Sequence, residues 1–167
     1  MHSVGVMTAS FSIPTRVIAA GTSDMRWAIA QGSTGEHDFL MRFCSLPDAF
    51  PRSRYPVRLN VFWNLAEPLA NGGMPSSEES ERLAVFEERL VAATEAEDAA
   101  MLPLVFTGRG QREFVFFAVS AEDFLRRLTG MPQEDEPYPI EIHRSDDPTW
   151  AYYDEALASV SAVEDSR

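Results

Sequence analysis

Three histidines, one cysteine and 26 acidic side chains are the groups from which this 167-residue chain would have to build a reaction centre. His2, His37 and His143 form no His-x-x-x-His pair, the spacing that sets two imidazoles on one helical face for a metal. His37 stands between Glu36 and Asp38 and could help hold a divalent cation, but a polar turn uses the same residue types. Glu134-Asp135-Glu136 and Asp146-Asp147 gather carboxylates without the alternating spacing of a calcium loop. A solvated loop and a helix cap account for them. Cys44 ends the apolar run Phe39-Leu40-Met41-Arg42-Phe43-Cys44 and reads as a buried, inert thiol. Being alone, it excludes an intramolecular disulfide and any structural zinc site built on several thiolates. There is no Gly-x-Ser-x-Gly, and Gly108-x-Gly110 lacks the rest of a nucleotide loop. No catalytic, cofactor-binding or metal-binding residue is assigned, and no cofactor is expected.

Charge narrows the partners. The formal charge is −12, and all fourteen basic residues are arginine. Proteins that track phosphates gain affinity by replacing counterions with cationic side chains, so neither nucleic acid nor an anionic membrane is an expected partner. Arg52, Arg54 and Arg58 form the one local basic cluster, which a solvated loop and strand edge explain. No run approaches the roughly 18 apolar residues of a membrane span. Val4 to Ile18 is broken by Ser, Thr and Pro14, unlike the apolar core of a signal peptide. A cytoplasmic location is expected; the oligomeric state is left open.

The elements that would position these groups read in order. Residues 1–23 suggest either an extra edge strand near Thr15–Ala20 or an extension, with Met7 and Met25 as alternative initiators. A single domain is expected over 24–160, with 161–167 as a tail. Met25–Gln31 and Asp38–Cys44 predict a hairpin around the turn-rich Gly32-Ser33-Thr34-Gly35. Pro47, Pro51 and Pro56 mark a loop. Val57, Leu59, Val61 and Trp63 alternate with polar residues as a half-buried strand. Ser76 or Ser77 caps a helix with Glu78, Glu79 and Glu81 in its first turn and Leu83, Phe86, Leu90 and Ala93 at helical spacing. Met101–Thr107 and Gln111–Val119 pair around Gly108-Arg109-Gly110. Ser120 caps a shorter helix that stops at Thr129-Gly130. Tyr138, Ile140 and Ile142 mark a last strand, and Asp147 caps a final helix starting at Pro148.

From Val57 this order is strand, helix, strand, strand, helix, strand. That is an α+β, ferredoxin-like (split βαβ) antiparallel sheet with both helices on one face. The N-terminal hairpin would extend it, and the C-terminal helix would lie at its end or on the open face. Phe114 and Phe116 point to one side of their strand, Val115 and Phe117 to the other. An aromatic open face can stack RNA bases, but the charge opposes this, and a two-sided core is expected.

The succession Leu104 to Phe117, Asp123-Phe124, Tyr138-Pro139-Ile140-Glu141-Ile142 and Asp147-Pro148-Thr149-Trp150-Ala151-Tyr152-Tyr153 resembles the bacterial domain of unknown function 695. Pro56 to Trp63 and Gly73-Met74-Pro75 fit the same pattern, so the likeness spans about Trp27 to Tyr153. Phe117 departs from it, standing where the family pattern implies Tyr. The closing Asp-x-Trp-x-x-Tyr element is also distantly similar to regulator of ribonuclease activity B. That second likeness implies an acidic ferredoxin-like protein that acts by binding an enzyme. The family supplies no catalytic residues to carry over.

The expectation is a non-enzymatic protein-binding or regulatory module whose partner is a protein with a basic surface. Trp150 and Tyr153, one turn apart, together with Arg109 are the candidate partner-binding residues. The alternative is a small enzyme or ligand-binding domain that uses acids near Glu134–Asp147 with Arg109 or Arg112.

Overall fold

Alternating β-branched, aromatic and polar residues commit the strand segments of the chain to one antiparallel sheet. The computed structural model describes residues 8–11, 16–17, 25–34 and 37–164. Expectations that fall on Met7, on the rest of residues 1–24, on Gly35 and Glu36, or on residues 165–167 lie outside these. In chain order the strands are β1 (Thr8–Phe11), β2 (Arg16–Val17), β3 (Arg26–Thr34), β4 (His37–Ser45), β5 (Val57–Asn64), β6 (Ala100–Gly108), β7 (Gln111–Ala118) and β8 (Ile140–Asp146). The helices are α1 (Ser77–Thr94), α2 (Ala121–Thr129) and α3 (Ala151–Glu164). The spatial order is β1-β3-β4-β6-β7-β5-β8, with β2 also pairing β3. Every pairing is antiparallel. β5 and β6 therefore run the same way with β7 between them, while the β3–β4 hairpin extends the sheet beyond β6.

Both faces are covered. On one, Leu83, Phe86 and Leu90 of α1 and Phe124 and Leu128 of α2 pack on Leu59, Val61, Trp63, Val105, Phe114 and Phe116. On the other, Trp150 and Tyr153 at the start of α3 pack on Met41, Leu104, Val115 and Phe117. The two-sided core expected from Phe114–Phe117 is present, and all four side chains are buried. β6 serves both cores through an irregularity in its pairing between Met101 and Leu104. Leu102 and Val105 face the α1–α2 side, whereas Met101 and Leu104 face α3. Pro103, which has no N–H to give a ladder, lies where the register shifts.

Local chemistry fixes the boundaries. The Ser76 side chain accepts from the Glu79 N–H at 3.2 Å and Ser120 accepts from the Asp123 N–H at 3.3 Å, so both expected caps form. Three boundaries differ from expectation. Gly32, Ser33 and Thr34 belong to β3, not to a turn, and pair with Phe39, Asp38 and His37. Gly32 has a packing reason for being there: a Cβ on it would sit 2.2 Å from the Phe39 ring. The final helix starts at Ala151, not Pro148, because Trp150 takes a left-handed φ of 63° after a turn closed by its N–H on the Asp147 carbonyl at 3.1 Å. It continues to Glu164, into the stretch expected to be tail. Among the described residues no helix is long and apolar enough to cross a membrane.

The β6–β7 connection is a two-residue turn with φ of 55° at Arg109 and 82° at Gly110, the left-handed pair that matches strand twist. Gly110 has no room for a side chain, since a Cβ would lie 2.9 Å from the Pro68 backbone. Gly110→Ala is expected to cost about 2 kcal/mol or more, whereas Arg109→Gly should stay within about 1 kcal/mol of wild type. Urea unfolding midpoints of the two variants check this.

Candidate functional site

Polar residues far apart in sequence meet on the α3 face. Arg58 and Asn60 point there from β5, because Leu59 between them and Val61 after them face the other core. The Arg58 Nε donates to Asn60 Oδ1 at 3.0 Å, and its Nη1 donates to Asp147 Oδ2 at 2.9 Å. Asn60 Nδ2 donates to Glu113 Oε2 at 3.2 Å, and the Tyr152 hydroxyl lies 2.7 Å from both Glu113 oxygens. The Arg58 guanidinium also stacks 4.4 Å from the Tyr152 ring centroid. Asn60, Glu113 and Asp147 are buried. The result is a closed chain, Asp147–Arg58–Asn60–Glu113–Tyr152. Asp147 Oδ1 additionally accepts the Ala151 N–H at 2.9 Å, and Oδ2 the Tyr152 N–H at 3.2 Å. The expected helix cap is therefore real, and the same carboxylate anchors an ion pair. Among the described residues no buried side-chain nitrogen or oxygen lacks a partner.

Beside this chain is an aromatic nest. The Trp150 ring lies flat on Phe117, centroids 4.0 Å apart at 14°. Its Nε1–H is shared by the carbonyls of Arg52 and Tyr55 at 3.1 and 3.0 Å. Phe117 occupies the middle of the nest, where a tyrosine hydroxyl would need a partner of its own. Arg52 holds both Asp154 oxygens at 2.9 Å and lies over the Trp150 and Tyr153 rings. The Tyr153 hydroxyl donates to the Cys44 carbonyl.

These contacts place the sequence candidates. Trp150 and Tyr153 are 0% and 1% exposed. They cannot present themselves to a partner, and the exposed-anchor reading is corrected: the pair fills the second core because α3 is laid across it. Arg109 is exposed at the β6–β7 tip, the opposite end of β7 from Phe117, so the three residues do not form one surface. Arg52 and Arg58 are not merely a solvated loop and strand edge, since each is bound to a carboxylate of the α3 segment. Of the acids between Glu134 and Asp147, Asp147 is bound to Arg58, Glu134 to Arg89 and Asp146 to Arg144, and none of these three pairs with Arg109 or Arg112. His143 is an exposed sheet residue edge-on to Phe62. Among the described residues no three His, Cys, Asp or Glu side chains are grouped to hold a metal ion.

The helical face carries a second feature, a solvent-open groove of about 640 Å³ between α1 and the end of α2. Val85, Ala92, Met131 and Pro132 supply its apolar lining, and Glu88 and Arg89 its polar one. Arg89 is already held, at 3.2 Å from Glu134 and 2.8 Å from the Tyr138 hydroxyl.

Residues 25–158 match the family of unknown function DUF695. The chain belongs to that family. No curated protein and no solved structure matches it. The DUF695 match runs from the start of β3 into α3, so it takes in both cores, the Asp147 chain and the groove. Composition gave no sign that Arg58, Asn60 and Glu113 act together. Their only signal was polar residues inside otherwise apolar strands.

Burial gives this face a pH dependence. It raises the Cys44 thiol to about 11 and the Tyr153 hydroxyl to about 12. The Tyr152 hydroxyl is also raised, by burial first and then by its hydrogen bond to Glu113. Each group is neutral in the fold and ionises more readily in the unfolded chain. Their stabilisation is complete below the ordinary values of 9.0 and 10.0 and is lost as pH rises through the folded ones. The melting temperature should therefore fall between about pH 9 and pH 12, and less steeply in Tyr152→Phe. Thermal melts across that range check it.

Proposed function

We propose that this DUF695 protein is a non-enzymatic regulatory module that works in the cytoplasm by binding a basic segment of another protein, on a ferredoxin-like frame. The frame reading is supported by the order β6-β7-β5-β8 with α1 and α2 on one face, which is the arrangement of a split βαβ unit. The binding reading is carried by the α1–α2 groove, which is apolar inside and acidic at its rim. Glu81 and Glu88 stand two turns apart on the exposed side of α1, with Val85 between them 43% exposed. Glu134, Asp135 and Glu136 follow Pro132 in an exposed loop. Arg89 is neutralised by Glu134, and Arg82 is turned onto the Trp63 ring.

An amphipathic helix or strand with apolar side chains on one edge and Lys or Arg flanking them fits such a surface. The net charge of −12 would steer it there. The polar chain beneath α3, by contrast, has its donors and acceptors spent on one another, which suits a structural tie. The likeness of the closing element to regulator of ribonuclease activity B, a protein that acts by binding an enzyme, points the same way as an analogy.

The test uses wild-type protein and Ala92→Arg, a substitution an exposed helical site tolerates. Proteins captured from the native host by both baits are identified by mass spectrometry, and the captured partner is purified. Its affinity should drop roughly tenfold or more with Ala92→Arg and weaken as salt rises. A partner held equally well by both proteins, with no salt dependence, contradicts the groove as its site.

A further inference from the structure

Arg112 is the one described arginine that is half-buried without a carboxylate. It lies on the α1–α2 side of β7, two residues before Phe114, in a cross-sheet row that reads Leu40, Thr107, Arg112, Trp63. Its Nε donates to Thr107 Oγ1 at 2.8 Å. Among the described residues no carboxylate oxygen lies within 4.0 Å of its guanidinium. A guanidinium carries five donors and cannot shed its charge, so partial burial with one bond made is costly. In a chain with 26 acids, a counterion would have been easy to supply.

The nearby acids are committed elsewhere. Glu87 of α1, the carboxylate that acts most on Arg112, is bound by Arg42 of β4. Glu79 accepts from the Trp63 Nε1–H at 3.0 Å and from the Ala66 N–H at 3.1 Å. Two guanidinium groups, Arg42 and Arg112, therefore share the single carboxylate of Glu87 and leave one positive charge over on the flank of α1. Burial and the neighbouring Arg42 both work against the charged form of Arg112, with Glu87 opposing them. The Nη edge of Arg112 is not sealed, since no buried side-chain nitrogen among the described residues goes without a partner. Nε is fixed on Thr107, so the remaining donors are held in a set orientation, which is what a bidentate fork requires.

We propose that Arg112, with Arg42 beside it, forms a binding site for an oxyanion group, a carboxylate or phosphate carried by a small molecule. Arg112 supplies the fork, Thr107 orients it, and Arg42 adds charge while staying paired with Glu87. The incoming anion neutralises the surplus charge, an advantage that a neutral ligand lacks. The site lies beside α1 on the β4 side and is independent of the α1–α2 groove.

The test follows the arginine Nε–H resonances by NMR while the full-length protein is titrated with inorganic phosphate, with acetate, and with chloride at matched ionic strength. The Arg112 signal should shift saturably with phosphate or acetate, half-saturating near about 1 mM, the affinity of one charge-assisted fork. Saturation by phosphate alone identifies a phosphate ligand, and saturation by acetate a carboxylate ligand. Backbone amide shifts at Thr107 report the same event in variants. They should vanish in Arg112→Gln, survive more than tenfold weaker in Arg112→Lys, which keeps charge without the fork, and weaken in Arg42→Gln. A wild-type Arg112 signal that shifts no more with phosphate and acetate than with chloride overturns the proposal, whatever the variants do.

Discussion

The two carboxylate oxygens of Asp147 accept three hydrogen bonds and tie α3 to β5. One takes the first free N–H of α3, and the other takes the next N–H and the Arg58 guanidinium of β5. The Asp147 carbonyl closes the turn that sets Trp150 at φ 63°. A left-handed tryptophan costs about 1–3 kcal/mol and persists only where its surroundings over-determine it. Here they do: the indole is clamped between Phe117 and the carbonyls of Arg52 and Tyr55. The position of α3 follows from that seat, and the covering of the second sheet face follows from α3.

With both faces covered, β7 becomes a strand with no solvent side, and its run from Phe114 to Ala118 is buried throughout. Burying an aromatic or branched side chain stabilises by about 1.5–3 kcal/mol each, so the two cores supply most of the driving force. The polar chain from Asp147 to Tyr152 adds specificity rather than net attraction. Isolated buried charges would disfavour the fold, whereas bonded to one another they allow only one placement of α3. The basic residues Arg52 and Arg58 are spent on this tie.

How much of this was legible depends on the range over which each decision is made. Ser76, Ser120 and the Arg109-Gly110 turn act within four residues, and their chemistry reads directly from the chain. The alternation around Leu59 and Phe116 likewise marked strands and their two faces. The antiparallel sheet and the hairpin that extends it followed from the succession of elements. What could not be read were facts about cover. Trp150 and Tyr153 have the spacing of a surface anchor and of a core pair alike, and only the bed formed by Phe117, Tyr55 and Met41 decides between them. Gly32 reads as a turn until Phe39 is seen across from it. Asn60 and Glu113 lie 53 residues apart, and nothing local to either signals the other.

The surfaces proposed to bind are what remains once these internal ties are removed: an acid-rimmed groove on the helical face and one under-compensated arginine beside α1. Both sit on the sheet whose second face is covered by α3, and the seat of α3 traces back to Asp147. Hydrogen exchange followed by mass spectrometry on Asp147→Ala tests this most directly. Protection is expected to be lost in α3, in the Arg52–Tyr55 turn and in β4, with α1 and α2 protected as in wild type. Unchanged protection of α3, or an even loss over both helical layers, would contradict it.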